Sequence, residues 1–155
     1  MTALPTGRIA FLFTDIEGST RLVQRLGARY DDLLDRHHTV LRAAIAGHRG
    51  HEIRTDGDAF FAVFEDVGDA VAAAAASQRA IADDDLLSSE DLRVRMGVHV
   101  GDARLGGDNY VGIDVHIAAR VADAANGGQI IITDDAREES NVSGRPLGSF
   151  WLKDI

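Results

Sequence analysis

Read in order, the sequence predicts strand, helices, hairpin, helix, hairpin, helix, strand. That order makes an α+β fold, an antiparallel sheet covered by helices around a ferredoxin-like βαββαβ core. Three stretches carry the reading. Ile9 to Phe13 is an unbroken apolar run, the composition of a strand covered on both faces. Asp56-Gly57 parts two short segments and is a strong hairpin signal, although many such pairs do nothing but turn. Arg93 to Val100 alternates, with Val94, Met96, Val98 and Val100 on one face, as a half-buried strand does.

The remaining elements follow from local chemistry. After the first strand, Gly18-Ser19-Thr20 makes a turn into a short helix over Arg21 to Gly27. A second helix spans about Arg29 to Ala46, with Leu33, Leu34, His37, Leu41, Ala44 and Ile45 along one face, and Gly47 and Gly50 ending it. His37, His38 and His48 have no paired carboxylate at helical spacing, so packing or a solvated edge accounts for them better than metal. The hairpin runs from His51 to Arg54 and from Ala59 to Phe64, around Thr55 to Asp58. Val67 to Ala82 is an alanine-rich helix, and Asp83 to Asp91 reads as a solvated acidic link. Gly101 to Asp108 is the loop of another hairpin. Gly112 to Ala125 is a helix with Val115, Ala118, Ala119 and Ala122 inward and Arg120 on another face. Three isoleucines in Gln129 to Thr133 predict a central strand, Ser140 to Gly144 a polar loop, and Leu147 to Ile155 a last strand.

Composition bounds the function. The 155 residues suit one domain, and 45% hydrophobic with 26% charged content is ordinary for a globular protein, so a packed core is affordable. The absence of cysteine excludes disulfides and thiolate zinc. Met1 to Gly7 lacks the parts of a signal peptide, and no apolar run approaches a membrane span, so the expected location is cytoplasmic. A formal charge of −9 argues against a nucleic-acid partner.

The chemistry gathers at the end of the first strand. Asp15 stands where the apolar run stops, ahead of the amides of Gly18, Ser19 and Thr20 at a helix start. A carboxylate can hold Mg²⁺ and such amides can hold phosphate, which together suit a nucleoside triphosphate. The plainer reading is that Asp15 caps the helix. Asp58, an extra acid directly after the hairpin turn, would face Asp15 if that hairpin lies beside the first strand. Two carboxylates there could hold two Mg²⁺ about 3.5–4 Å apart, the arrangement for in-line displacement at phosphorus.

Four ordered blocks then resemble the bacterial-type class III adenylyl/guanylyl cyclase catalytic domain. They are FLFTDIEGST from Phe11, TDGDAFFAVF from Thr55, VRMGVHVGDA from Val94 and NYVGIDVHIAARVADAANGGQI from Asn109. The resemblance covers roughly residues 8 to 153. It implies a single catalytic domain over 1–155, trimmed at its C-terminal end from a longer chain, because family members usually carry a further hairpin. It also implies that Asp15 and Asp58, with the Ile16 carbonyl, hold two Mg²⁺ or Mn²⁺ per site. Arg120 would stabilise charge at the transferring phosphate, and Lys153 would touch the triphosphate. The site would form between two head-to-tail copies, one giving the aspartates and the other the base pocket and the arginine. The expected reaction is attack of the ribose 3′-oxygen of ATP, or also GTP, on the α-phosphorus, releasing pyrophosphate in intracellular signalling.

Three positions depart from the family pattern. Arg54 stands where adenylyl cyclases usually carry lysine, Asn109 where they carry aspartate, and His116 where they carry asparagine. Arg54 only donates, so it meets adenine N1 or guanine O6, and Asn109 both donates and accepts, so the pair fits either base. His116 offers one donor when neutral and two when protonated, an imperfect replacement for an amide. These departures leave open a second reading, a cyclase fold with little or no turnover that serves as a dimerising or nucleotide-sensing module. Gly106-Gly107-Asp108 invites comparison with diguanylate cyclases, but Asn109 follows where an acid is needed, so a hairpin loop explains it better. An RNA-binding module is disfavoured by the acidic charge and the lack of clustered aromatics on the central strands.

Overall fold

β1 (Gly7–Ile16) runs through the middle of the sheet, and Ile9 to Leu12 lose almost all contact with solvent because helices cover both faces. The computed structural model describes residues 3–149 and 151–152. α1 (Ser19–Leu26) and α2 (Arg29–Gly47) follow, then β2 (His51–Asp56) and β3 (Ala59–Phe64), which form the expected hairpin. α3 (Val67–Asp83), α4 (Asp85–Ser89), β4 (Val94–Gly106), β5 (Asn109–Val111), α5 (Ile113–Asp123), β6 (Ile130–Ile132) and α6 (Asp134–Ser140) complete the chain. The strand order is β2-β3-β1-β4-β5, with β6 also beside β4. Its first four strands are the antiparallel βαββαβ core predicted from the sequence.

Two clusters hold the layers together. On one face, Ala10, Leu12, Met96 and Val98 pack with Leu33, Leu41 and Ile45 of α2 and the alanines of α3. α3 can lie close because Ala70, Ala73 and Ala74 present almost no side chain, and all three are fully buried. On the other face, Ile9, Phe11, Phe61 and Ala103 pack with Tyr110 and with Ala118 of α5. α5 sits so low on the sheet that a Cβ at Gly97 would lie 2.4 Å from the backbone nitrogen of Ala122. Gly97 is therefore the seat of α5. One residue inside the α2 layer is polar and alone. His37 is fully buried, neither ring nitrogen has a hydrogen-bond partner, and burial lowers its pKa to about 3, with His38 adding to the effect.

Several expectations are corrected. The acidic link is not all solvated, because it contains α4. Asp84 is nearly buried, accepts from the Leu87 amide at 3.0 Å and holds Arg36 Nε at 2.5 Å. β4 is covered on both faces up to Gly101 rather than half-buried, and it runs on to Gly106, so the turn to β5 is short. The three isoleucines are not central. Among the described residues β6 pairs only with β4, in parallel, and stays half-exposed because β1 and β3 hold the middle of the sheet. α6 was not anticipated, since its sequence, Asp-Asp-Ala-Arg-Glu-Glu-Ser, has no apolar period; the Thr133 hydroxyl caps it by accepting from Ala136. The last strand is absent at 147–149 and 151–152, where Trp151 is fully exposed, and its remaining residues lie outside those described.

Candidate active site

Strand register brings the two acids together. β1 pairs with β3 so that Thr14 faces Phe60, and continuing that register puts Ile16 beside the β2–β3 turn. Asp58, in that turn, accepts from the Ile16 amide through Oδ2 at 2.7 Å. The His38 Nε2–H donates to the Gly57 carbonyl at 2.8 Å and ties the same turn to α2. Asp15 is one residue away on β1. Past it, Gly18 adopts a left-handed conformation, φ 66°, that turns the chain into α1. No side chain caps α1, so the reading of Asp15 as a helix cap is overturned. Asp15 instead faces Arg95 across the β1–β4 ladder, and Arg95 Nε and Nη2 donate to its Oδ1 and Oδ2 at 2.7 and 2.5 Å. That bond is the main reason the guanidinium is held above its ordinary pKa.

These groups line one open cleft of about 950 Å³, with Asp15, Ile16, Asp58 and the Gly18–Ser19–Thr20 turn on its wall. Arg21, Arg25, Arg93 and Arg95 line it too, beside five carboxylates, those of Asp15, Glu17, Asp58, Glu90 and Asp91. Glu90 holds Arg25 at 3.1 Å and Asp91 holds Arg93 at 3.2 Å.

The other candidates lie elsewhere. Arg54 is on β2 with its guanidinium 5.9 Å from the centre of the Phe61 ring, and Tyr110 meets the same ring edge-on at 6.3 Å. Asn109 precedes Tyr110 on β5 and accepts from its amide through Oδ1 at 2.9 Å. His116 is exposed on α5, and Arg120, one turn on, donates to Asp123 Oδ2 at 3.3 Å. None of these four lines the acidic cleft. Lys153 lies outside the described residues.

The sequence profile of the adenylate and guanylate cyclase catalytic domain matches residues 1–145. The chain belongs to this family. An uncharacterised protein of Mycobacterium tuberculosis is 33% identical over 153 residues, covering 97% of this chain and 50% of that protein. An adenylate cyclase of Mycosarcoma maydis is 32% identical over 162 residues, covering 88% of this chain and 6% of that protein. The cyclase domain thus spans half or less of the length of these relatives. A solved structure of an adenylate cyclase from Trypanosoma brucei in its monomeric state matches with a TM-score of 0.88 at 26% identity, covering 99% of this chain and 87% of that one.

The cyclase domain's acids fit a hard divalent cation of the kind completed by substrate. Among the described residues no group of three or more His, Asp or Glu is placed to cage a metal. Two carboxylates on a cleft wall suit Mg²⁺, which is commonly held by one or two carboxylates plus phosphate oxygens. No helix among the described residues is long and apolar enough to cross a membrane.

Sequence reasoning missed two features in and around this site. Arg95 was passed over as one more polar position of an alternating strand. Its signal was a cation on the strand face otherwise occupied by Gly97, His99 and Gly101. The second is a half-buried chain of hydrogen bonds away from the cleft lining. The His99 Nε2–H donates to Asp114 Oδ1 at 2.9 Å, Thr133 Oγ1 donates to Nδ1 at 2.9 Å, and the first turn of α5 is thereby tied to β4.

Proposed function

We propose that this domain is a nucleotidyl cyclase that converts ATP, and also GTP, to the 3′,5′-cyclic nucleotide and pyrophosphate, working as a head-to-tail homodimer. The observation that carries this is the convergence of Asp15 and Asp58, distant in sequence, on one cleft with the uncapped start of α1 and four arginines. A triphosphate is the small ligand that asks for carboxylates, amides and guanidinium groups together. A second copy is part of this reading, supported by Arg54, Asn109, His116 and Arg120 lying away from the cleft that holds the acids. One copy therefore offers Asp15, Ile16 and Asp58, and the other offers the base-reading pair and Arg120.

In this reading the bond formed is O3′ to the α-phosphorus, and the bond broken is that from the α-phosphorus to the oxygen bridging to the β-phosphate. Asp15, Asp58 and the Ile16 carbonyl would hold two Mg²⁺ or Mn²⁺, which when bound neutralise the polyphosphate and make the 3′-hydroxyl more acidic. The amides of Gly18, Ser19 and Thr20 orient the phosphates. Arg120 donates to the non-bridging oxygens of the α-phosphate, where negative charge grows. His116, on the same face of α5, donates toward the ribose. The Arg54 guanidinium and the Asn109 amide read the purine edge, and both bases satisfy them.

The test is incubation with ATP or GTP and Mn²⁺, followed by chromatography for the cyclic product. Product from the wild type, lost in Asp15→Ala and in Asp58→Ala with both variants folded, is the expected result. No product under any of these conditions would favour the module that binds or dimerises without turnover.

A further inference from the structure

Asp15 already has a cation. Arg95 holds both its oxygens through a pair of hydrogen bonds, which take one lone pair on each oxygen and neutralise the carboxylate, so a divalent cation must compete with the guanidinium for it. The pair is sheltered, the two side chains being 29% and 23% exposed, so water and salt weaken it less than they would a surface pair. Its setting also holds it in place. The two residues are directly opposed in the ladder, and the charges of Asp123 and Glu17 add attraction around the guanidinium. Those acids do not take it over: Glu17 accepts from the Gly127 amide at 3.1 Å, and Asp123 accepts from Arg120. Asp58 differs, having no cationic side chain bonded to it among the described residues.

We propose that Arg95 is an internal counter-ion that closes Asp15 to divalent cations, so that metal enters only those molecules in which the Arg95–Asp15 fork is open. The proposal rests on the reading of Asp15 and Asp58 as metal ligands. Its consequence is quantitative. Apparent affinity falls by the fraction of molecules competent to bind, so a fork open about one-tenth of the time weakens metal binding about tenfold. The site at rest is neutralised by the protein's own side chain, and the metal affinity of the free domain is set by Arg95 rather than by the acids alone.

Removing any cation from the cleft strengthens the field for metal, so the test separates grip from charge. Mn²⁺ alone is titrated into the nucleotide-free domain, with bound metal read by calorimetry and by loss of the free-ion paramagnetic resonance signal. Arg95→Met should tighten Mn²⁺ about tenfold. Arg95→Lys keeps the charge but cannot fork onto two oxygens, so it should recover about half of that gain on a logarithmic scale. Arg93→Gln removes a charge from the same cleft without touching Asp15, and should change affinity less than about twofold. The gains should vanish when Asp15→Ala is added. An unchanged Arg95→Lys, a gain equal in Arg93→Gln, or no Mn²⁺ uptake even by a folded Arg95→Met would overturn the counter-ion. Binding that is unaffected by Asp15→Ala would instead sink the metal reading of Asp15. Binding abolished by Asp15→Ala but indifferent to Arg95 leaves that reading standing and defeats only the latch.

Discussion

Replacing His37 with leucine should make the domain resistant to mild acid. His37 is fully buried on α2, both ring nitrogens lack partners, and its pKa is lowered to about 3, chiefly by burial and next by the charge of His38. In the unfolded chain the same group titrates near its ordinary value of about 6.5. The unfolded state therefore takes up the proton first, and stability falls as pH drops from about 6.5 toward 3. Integrated over that window, the loss from this one group is about 2 kcal/mol at pH 5 and about 3 kcal/mol at pH 4, relative to pH 7. Leucine removes the titration and the two unsatisfied nitrogens while keeping apolar contact with Phe60, whose ring lies 5.7 Å from the imidazole. The assay is urea unfolding of both proteins at pH 7 and pH 5. His37→Leu should be at least as stable at pH 7 and gain about a further 2 kcal/mol over the wild type at pH 5. Parallel loss of stability by the two proteins over that range would show that His37 carries no acid sensitivity.

Three other outcomes follow from the same packing and site. Gly97→Ala forces a methyl group against the backbone of Val121 and Ala122, so α5 must lift; it should cost about 2 kcal/mol in urea unfolding and reduce cyclic product beyond the loss of folded protein. An unaltered midpoint would mean α5 is not seated on that glycine. Arg54→Lys with Asn109→Asp should shift the product ratio from an equimolar ATP and GTP mixture toward cyclic AMP by about tenfold, because aspartate only accepts and so favours the adenine amino group; an unshifted ratio would remove the pair from base reading. His116→Asn should raise saturated turnover about tenfold with little change in nucleotide affinity, since a compact fixed amide donor replaces a larger ring; equal rates in His116→Asn and His116→Ala would place His116 away from the reacting phosphate.

What the sequence shows and what it hides differ for physical reasons. β1 to β3 were legible because an apolar run and Asp56-Gly57 are local signals, and they carried Asp15 and Asp58 to one cleft with them. Arg95 was hidden because its partner is 80 residues away, and only the β1–β4 register reveals that the two face each other. α4 was hidden because a run of aspartates reads as solvent-loving, while Leu87 within it is fully buried and Asp84 is used as a cap. β6 was misplaced because three isoleucines read as full burial, whereas a margin strand beside β4 leaves them half-exposed. The His99–Asp114–Thr133 chain of hydrogen bonds was invisible for a like reason: it joins three elements at once, and no one of them carries a periodic signal for it.

The most direct measurement of the central claim is complementation between two inactive chains. Asp15→Ala lacks a proposed metal ligand and Arg120→Ala the group proposed to meet the phosphate, and each alone should give little or no cyclic nucleotide from ATP and Mn²⁺. Mixed in equal amounts under conditions where subunit exchange is shown by differently tagged chains, they should regain product, because one of the two sites in each heterodimer has its full set. The recovered rate should be about one-quarter of the wild-type rate, from half of the dimers being mixed and one site in each being whole. No recovery despite demonstrated exchange would contradict an active site shared between two copies of this domain.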